Sequence, residues 1–307
     1  MKFWQSVHGV EPEQLIDVAK LADALGFEGI TCGDHLVKPA DYGKSYLYSE
    51  DGRPPWDPGD PAWTPPYADP WILGAVLSQA TTRLRFMPYV YVLPMRDPVM
   101  VAKQTATAAF FSNDRIVMGV GSGWLEEEFA LVGAEWKSRG ARMDEMLAII
   151  ALLHEGRDVE FHGRHYDLPP CRMRPVPRKR VPVLIGGHSA AALRRAARHD
   201  GWLGVDYEFD DLVPIVEKLL ALRRETVDAG RCAPGAEVAP FEVFAVLKRF
   251  PDLDGLRRLA DLGVTMTQDY AWFYKGERAS SFARKRETMA RFAEETIDGF
   301  AWARARG

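Results

Sequence analysis

The stretch that decides the fold is residues 182–205, Pro-Val-Leu-Ile-Gly-Gly-His-Ser-Ala-Ala-Ala-Leu-Arg-Arg-Ala-Ala-Arg-His-Asp-Gly-Trp-Leu-Gly-Val. An apolar strand runs into Gly186-Gly187, a helix begins at Ser189, and a second strand begins at Trp202. The two glycines allow a ligand to approach the backbone closely, and Ser189 is a candidate N-cap for a helix whose first N–H groups point outward. This pattern predicts either a phosphate-binding turn at the end of a strand or an ordinary strand-to-helix turn.

The same alternation of strand and helix continues along the whole chain. The predicted strands are Phe3 to His8, Gly29 to Gly33, Leu84 to Leu93, Arg115 to Gly121, Val183 to Ile185, Trp202 to Val205, Phe241 to Leu247 and Val264 to Gln268. These apolar runs are typical of parallel strands buried on both faces. We therefore expect one α/β domain over residues 1–307, a (β/α)₈ TIM barrel with a long loop after its second strand. A doubly wound sheet is the alternative, but the segment His8-Gly-Val-Glu-Pro12 lacks its G-x-G-x-x-G fingerprint.

Composition limits the classes of protein that need consideration. The chain has 307 residues and a formal net charge of −4, so we expect it to bind neither nucleic acid nor a membrane surface. Its three cysteines, Cys32, Cys171 and Cys232, lack disulfide or metal-site spacing, which favours a reducing compartment. The sequence contains no apolar run long enough to cross a membrane and no recognisable signal peptide. We expect a soluble, cytoplasmic protein.

Candidate functional residues follow the predicted strands, because barrel enzymes place their sites at the carboxyl ends of the strands. The second strand ends at Asp34 and His35, and the third contains Tyr89, Val90 and Tyr91. The candidates at the fourth and fifth strands are Gly119, Gly121, Ser122, Gly123, Trp124, Gly186, Gly187 and His188. This aromatic and glycine-rich set suits a flat heterocyclic cofactor with a phosphate tail. The seven histidines are scattered, so no metal site is expected.

Several of these residues have two interpretations. His35 is a candidate proton donor beside the reacting atoms, with Asp34 setting its charge or binding the cofactor, but the two could also be a packing or capping pair. Ser122 matches the nucleophile-elbow spacing only in part, which disfavours serine hydrolysis. The acidic run from Glu126 to Glu128 is expected to begin a helix and to form a solvated face.

The loop from Leu36 to Ala68 spans 33 residues, which is long for a compact domain. It is rich in aromatic residues, and the candidates for substrate contact are Tyr42, Tyr46, Trp56 and Trp63. A disordered insertion is one interpretation. Because disordered segments are poor in aromatic residues, we favour a packed lid over a large apolar substrate pocket.

Several motifs, in this order, resemble the luciferase-like monooxygenase superfamily. They are Leu93-Pro-Met-Arg-Asp-Pro98 with Ala102-Lys-Gln104, Asp114-Arg-Ile-Val-Met-Gly-Val-Gly-Ser-Gly-Trp-Leu-Glu-Glu-Glu-Phe129, Phe161-His-Gly-Arg-His-Tyr166, and the Ile-Gly-Gly and Asp-Gly-Trp segments within residues 182–205. The resemblance extends from the first strand to about residue 206. Within the superfamily, the chain looks most like the oxidoreductases that depend on the deazaflavin coenzyme F420.

This resemblance implies a bacterial-luciferase-type barrel that binds reduced deazaflavin or flavin at the strand ends. It places a non-prolyl cis peptide among Tyr89, Val90 and Tyr91, behind the ring, and the phosphate site at Gly186-Gly187. The basic segment Arg172-Met-Arg-Pro-Val-Pro-Arg-Lys-Arg180 would then be either simply solvated or a site for the acidic polyglutamyl tail of F420.

The sequence departs from the sugar-phosphate dehydrogenases of that branch at two positions. They have Glu where Ser122 stands and Trp roughly where Ala40 stands, so glucose 6-phosphate is not the expected substrate. We expect instead hydride transfer between F420 and another small organic molecule. The alternatives are an FMN-dependent monooxygenase that uses O₂ and a barrel that binds no cofactor. We also expect a homodimer and a separate reductase or dehydrogenase that supplies reduced cofactor.

Overall fold

The structure is a computed structural model that describes residues 1–39, 46, 52, 54, 65–269 and 280–304, apart from the side chains of Val205, Asp206, Asp269 and residues 302–304. The strands, numbered β1 to β11 in chain order, are Lys2–Ser6, Gly29–Cys32, Arg85–Pro88, Tyr91–Val92, Met118–Gly121, Val159–His162, Asp167–Cys171, Val183–Gly186, Gly201–Tyr207, Glu242–Leu247 and Met266–Asp269. The α-helices, numbered α1 to α10, are Leu15–Ala24, Pro70–Gln79, Pro98–Ser112, Glu126–Leu131, Arg139–His154, Ala190–Arg198, Phe209–Asp228, Leu253–Leu262, Phe282–Phe292 and Gly299–Arg304.

Nine strands form one sheet in the order β3-β2-β1-β11-β10-β9-β8-β5-β4, and their pairings are parallel. β3 and β4 are two pieces of one barrel strand, interrupted at Tyr89-Val90. A parallel bridge from Phe86 to Ile116, just before β5, joins the two ends of the sheet. The barrel thus has eight strand positions, each followed by a helix, which confirms the predicted (β/α)₈ fold.

The remaining strands, β6 and β7, form an antiparallel hairpin outside the barrel wall. The third strand, predicted to be continuous from Leu84 to Leu93, differs from the prediction because it is broken near its carboxyl end. At the carboxyl end of the described chain, α9 and α10 are joined by a π-helical turn at Ala293–Asp298.

The core has two layers because successive residues of a strand face opposite sides of the barrel wall. Phe3 lies in the outer layer, between wall and helices, whereas Trp4 lies in the interior. The buried interior side chains are Trp4, Met87, Val117, Leu184, Leu203, Phe244, Val246 and Met266. Because these side chains fill the interior, it is a packed core rather than a channel. Each of them contributes roughly 1.5–3 kcal/mol of stability on burial.

Candidate active site

Tyr89 and Val90 occupy the break between β3 and β4, and the peptide bond between them is cis, which confirms that expectation. The Tyr89 hydroxyl donates a hydrogen bond to the carbonyl oxygen of Gly204 on β9, at 2.6 Å. Its ring centroid lies 5.0 Å from that of Phe244. Both Tyr89 and Val90 pack against the interior core. The break therefore directs two consecutive side chains to the inside of the barrel, near the carboxyl ends of the strands.

The side chain of Val90 fits between two glycines that end neighbouring strands. A β-carbon at Gly121, on β5, would lie 2.6 Å from Cγ2 of Val90. A β-carbon at Gly186, on β8, would lie 2.7 Å from Cγ1 of the same valine. Interiors are close-packed, so any side chain at either glycine would displace Val90. The three residues form a smooth wall at the mouth of the barrel.

The other glycines of this region have different roles. A β-carbon at Gly119 would lie 2.1 Å from the carbonyl oxygen of Pro88, so this glycine allows close approach of two strands within the wall. Gly123 has a φ of +81°, where glycine is favoured, and turns the chain after β5. The half-buried Ser122 lies between Gly121 and Gly123 at the end of the strand. The structure thus brings Gly121 to Gly123 to the mouth and leaves Gly119 in the wall.

Tyr91, like Gly119, is a candidate that the structure does not bring to the mouth. It follows Val90 by one position in an extended segment, so it faces the outer layer. Its ring centroid lies 5.1 Å from Trp71 of α2, and the Arg96 guanidinium lies 4.2 Å above it. Burial raises the pKa of Tyr91 to about 12. In this position Tyr91 packs a helix against the barrel and does not face the strand ends.

The turn after β8, at Gly186 to Ser189, is the candidate anion-binding turn. Gly187 has a φ of +117°, a conformation that side chains rarely adopt. The Ser189 hydroxyl accepts a hydrogen bond from the backbone N–H of Ala192 at 3.1 Å, which confirms it as the N-cap of α6. The indole N–H of Trp202 donates to the Gly187 carbonyl oxygen at 2.8 Å. The Trp202 indole therefore fixes the Gly187 carbonyl group, and the amino end of α6 faces the mouth of the barrel.

His188 lies within this turn and is half-buried. Its ring centroid is 4.7 Å from that of Tyr207, at the end of β9. Burial lowers the pKa of His188 to about 4. The imidazole is therefore neutral near pH 7, and it adds ring surface to the turn without adding positive charge.

Asp34 is buried, and both of its carboxylate oxygens are bound. Oδ2 accepts from the Val92 N–H at 2.7 Å, and the Arg96 guanidinium donates to Oδ1 at 2.6 Å and to Oδ2 at 2.7 Å. Burial raises the pKa of Asp34, while Arg96 and the Val92 amide act in the opposite direction. The carboxylate thus ties the end of β2 to the segment after β4.

The His35 side chain contacts a buried carboxylate that the sequence did not reveal. Its Nδ1 lies 2.8 Å from Oε2 of Glu128, in α4. Glu128 is only 1% exposed, so the predicted solvated face at Glu126 to Glu128 is wrong for this residue. The run does begin a helix, as predicted, but Glu128 lies on its inner side beside the buried Phe129.

Aromatic rings surround the imidazole of His35. The ring of Tyr67 lies between two histidines, with its centroid 5.0 Å from His35 and 5.3 Å from His8. Trp124 lies on another side, at 5.8 Å from His35. Burial, and to a smaller extent the neighbouring His35, lowers the pKa of His8 to about 4. His8 is therefore neutral near pH 7.

The candidate lid is described at one of its four aromatic positions. Tyr46 is 3% exposed, and its ring meets that of Trp124 edge-on at a centroid distance of 5.2 Å. Tyr42, Trp56 and Trp63, like Ala40, lie outside the described residues. At Tyr46 the long loop thus packs against the segment that follows β5.

The basic segment 172–180 lies at the other end of the barrel from the candidate anion-binding turn, because it precedes β8 whereas the turn follows it. Two of its arginines are already paired. Arg172 donates to Asp158 at 2.7 Å, and Arg180 donates to the buried Asp200 at 2.8 Å. This placement argues against the hypothesis that the segment binds the tail of a coenzyme seated at the turn.

Within the part of the chain that the structure describes, no group of three or more histidine, cysteine, aspartate or glutamate side chains could hold a metal ion. In the same residues, no helix is both long and apolar enough to cross a membrane.

The fold and the site place this chain in a known family. The chain belongs to the luciferase-like monooxygenase family, whose profile matches residues 3–250. It is 37% identical over 250 residues to an uncharacterised protein of Mycobacterium tuberculosis, covering 81% of this chain and 82% of that one. It is also 28% identical over 227 residues to the F420-dependent glucose-6-phosphate dehydrogenase of Amycolatopsis mediterranei, covering 71% of this chain and 62% of that enzyme.

Solved structures agree with this family assignment at the level of the fold. The monooxygenase RslO1 of Streptomyces bottropensis matches with a TM-score of 0.68 and 21% identity, covering 98% of this chain and all (100%) of that one. An F420-dependent secondary alcohol dehydrogenase, solved with an F420-acetone adduct, matches with a TM-score of 0.70 and 15% identity, covering 96% and 98%. Proteins of this fold and family therefore include F420-dependent dehydrogenases and monooxygenases.

Proposed function

We propose that this protein is an F420-dependent oxidoreductase that acts on a small organic molecule other than glucose 6-phosphate. The observation that carries the proposal is the glycine-lined wall formed by Val90, Gly121 and Gly186, which continues directly into the anion-binding turn at Gly187. A flat ring needs a surface free of side chains, and a phosphate needs backbone N–H groups at a helix terminus. In this protein the glycine-lined surface and the amino end of α6 lie at the ends of the neighbouring strands β5 and β8.

The residues at the mouth fit such a coenzyme in two parts. Val90 and Tyr89 would support the ring, with Gly121 to Trp124 along its edge. Gly186, Gly187, His188 and the amino end of α6 would hold the phosphate. When bound in its reduced form, F420 supplies a hydride from its C5 atom. We propose that the protein holds the ring against the broken strand and that Tyr46, packed against Trp124, helps to keep water away.

In this proposal His35 and Asp34 have different roles. His35 gives a proton to the substrate, or takes one from it, at the end of β2. Asp34 has both oxygens bound by Arg96 and the Val92 amide, so it acts by fixing the backbone on which His35 stands. Asp34 is therefore a positioning residue rather than a proton carrier.

The experiment is a titration of the purified protein with F420 and, separately, with FMN. We expect the wild type to bind F420 more tightly than FMN. We expect Gly187→Asp to bind F420 far more weakly than the wild type does, because the new carboxylate would repel the phosphate. Gly230→Asp is the matched control, since Gly230 also has a positive φ but lies in an exposed turn after α7. Tight binding of FMN alone would replace this proposal with the flavin monooxygenase, and binding of neither would favour a cofactor-free barrel.

We also propose that the protein is a homodimer, supplied with reduced coenzyme by a separate reductase or dehydrogenase. Large apolar side chains are exposed on two helices that pack side by side, α2 and α3. They include Ile72 at 66%, Val76 at 47% and Met100 at 58% exposure. Exposed apolar side chains on two adjacent helices favour a protein partner. Sedimentation of the wild type and of Ile72→Asp tests this, and a monomeric wild type would contradict it.

A further inference from the structure

A buried carboxylate, Glu128, connects two parts of the site that are distant in sequence. Its Oε2 lies 2.8 Å from Nδ1 of His35. Its Oε1 accepts a hydrogen bond from the Leu36 N–H at 2.8 Å and a longer one from the Val37 N–H at 3.3 Å. A glutamate so completely buried is rarely retained unless it is fully hydrogen-bonded, as it is here.

We propose that Glu128 positions His35 for catalysis by holding the proton of the imidazole on Nδ1, so that proton transfer takes place at Nε2. A carboxylate only accepts hydrogen bonds, so the nitrogen that faces Oε2 must be the one that carries a proton. The other nitrogen lies on the far side of the ring from Glu128. The inference rests on the proposed function only for the identity of the group that exchanges a proton with Nε2.

The proton balance is simple. The doubly protonated ring gives the Nε2 proton to the substrate atom that gains it, and the ring is left neutral with its proton on Nδ1. In the opposite direction, the lone pair on Nε2 takes a proton from a substrate hydroxyl. In either direction the Nδ1 proton remains hydrogen-bonded to Glu128, so the ring neither rotates nor changes tautomer during the reaction.

The neighbouring carboxylate cannot replace Glu128 in this role. Asp34 precedes His35 in sequence, but its two oxygens are bound by the Arg96 guanidinium and the Val92 N–H. The carboxylate that orients the histidine therefore comes from the helix after β5, not from the strand that carries the histidine. Because Glu128 also binds the amides of Leu36 and Val37, it fixes the start of the long loop together with the ring.

The first test measures the tautomer directly, by ¹⁵N NMR of the histidine side chains at a pH where His35 is neutral. We expect a protonated Nδ1 and an unprotonated Nε2. In Glu128→Gln the amide oxygen can still accept from the Leu36 N–H, while the NH₂ group of the glutamine donates to Nδ1. The neutral ring should then carry its proton on Nε2, so that Nδ1 gives the resonance of an unprotonated nitrogen and Nε2 that of a protonated one. Glu126→Gln, on the exposed side of the same helix, is the matched control and should leave both resonances unchanged.

If the neutral His35 ring of the wild type carries its proton on Nε2, the inference is overturned, whether or not the variant folds. The second test is turnover. Glu128→Gln should lose about 10²–10⁴-fold in kcat, the range of general acid–base catalysis, with F420 affinity unchanged. An inverted tautomer with wild-type turnover also overturns the positioning role. Failure of the wild type to bind F420 would contradict the proposed function alone, because the NMR result needs no coenzyme.

Discussion

Replacing Gly121 by alanine should destabilise the protein, and truncating Val90 in the same chain should remove the penalty. The new β-carbon in Gly121→Ala would lie 2.6 Å from Cγ2 of Val90 but 3.5 Å from its Cβ. The second distance is an ordinary van der Waals contact. The obstacle is therefore a single methyl group, and Val90→Ala deletes it.

The structure sets the expected magnitudes. Forcing a methyl group into a packed region costs about 1–3 kcal/mol, which is our expectation for Gly121→Ala alone. Val90→Ala removes two half-buried methyl groups, at about 0.8 kcal/mol for each that is fully buried, so about 1 kcal/mol is expected. The double variant should be about as stable as Val90→Ala. The coupling between the two sites should then exceed the roughly 0.5 kcal/mol found for independent sites.

The assay is urea unfolding, followed by far-ultraviolet circular dichroism, of the wild type, both single variants and the double variant. Gly119→Ala is the matched control, because its β-carbon would meet the carbonyl oxygen of Pro88 at 2.1 Å. That backbone atom stays in place when Val90 is truncated, so Val90→Ala should not rescue this variant. If the losses in Gly121→Ala and Val90→Ala simply add, Val90 does not occupy the space beside Gly121 and the described wall is wrong.

Three further predictions concern the site and the pH dependence of stability. His35→Ala should lower single-turnover rates by about 10²–10⁴-fold while weakening coenzyme binding by no more than one hydrogen bond, about 0.5–1.5 kcal/mol; a wild-type rate would make His35 structural. Arg96→Ala should cost about 3–5 kcal/mol in urea unfolding, because it leaves the buried Asp34 without its partner, whereas Arg172→Ala, which breaks an exposed pair, should leave the urea midpoint almost unchanged. Burial lowers the pKa of His199 to about 4, so the unfolded chain binds a proton between about pH 6.5 and 4 that the folded chain does not, and stability should fall as the pH is lowered through that range. His199→Gln should show a smaller fall in urea midpoint between pH 7 and 5, and an unchanged fall would mean that this histidine is not the source.

The barrel could be predicted from the sequence because its determinants are local. Apolar strand runs, glycine stops and N-cap residues each act over a few positions. Ser189, for example, caps α6 as its spacing from the glycines indicated. The broken third strand could not be read from its apolar run, and only the family resemblance pointed to it.

The electrostatic partners in the site could not be predicted, because they come from segments distant in sequence. Neither Asp34 nor His35 carries a local sign of Arg96 or Glu128, which lie 62 and 93 positions away. A weak signal did exist for Glu128. It stands three residues after the buried Leu125 and one before the buried Phe129, which places it on the inner face of a helix. A signal also existed for Tyr91, because successive side chains of a strand alternate between its two faces and Tyr91 directly follows Val90.

The hydrogen bond from the Trp202 indole to the Gly187 carbonyl oxygen can report local opening of the turn after β8, which stability measurements do not distinguish from global unfolding. Trp202 is fully buried, so its ring proton can exchange with deuterium only when the turn after β8 moves away or the barrel opens. Comparing the exchange rate of this single proton with that of amides in the barrel wall would distinguish local opening of the turn from global unfolding. The opening rate of the turn at Gly187 can therefore be measured in the free protein, before any substrate is identified.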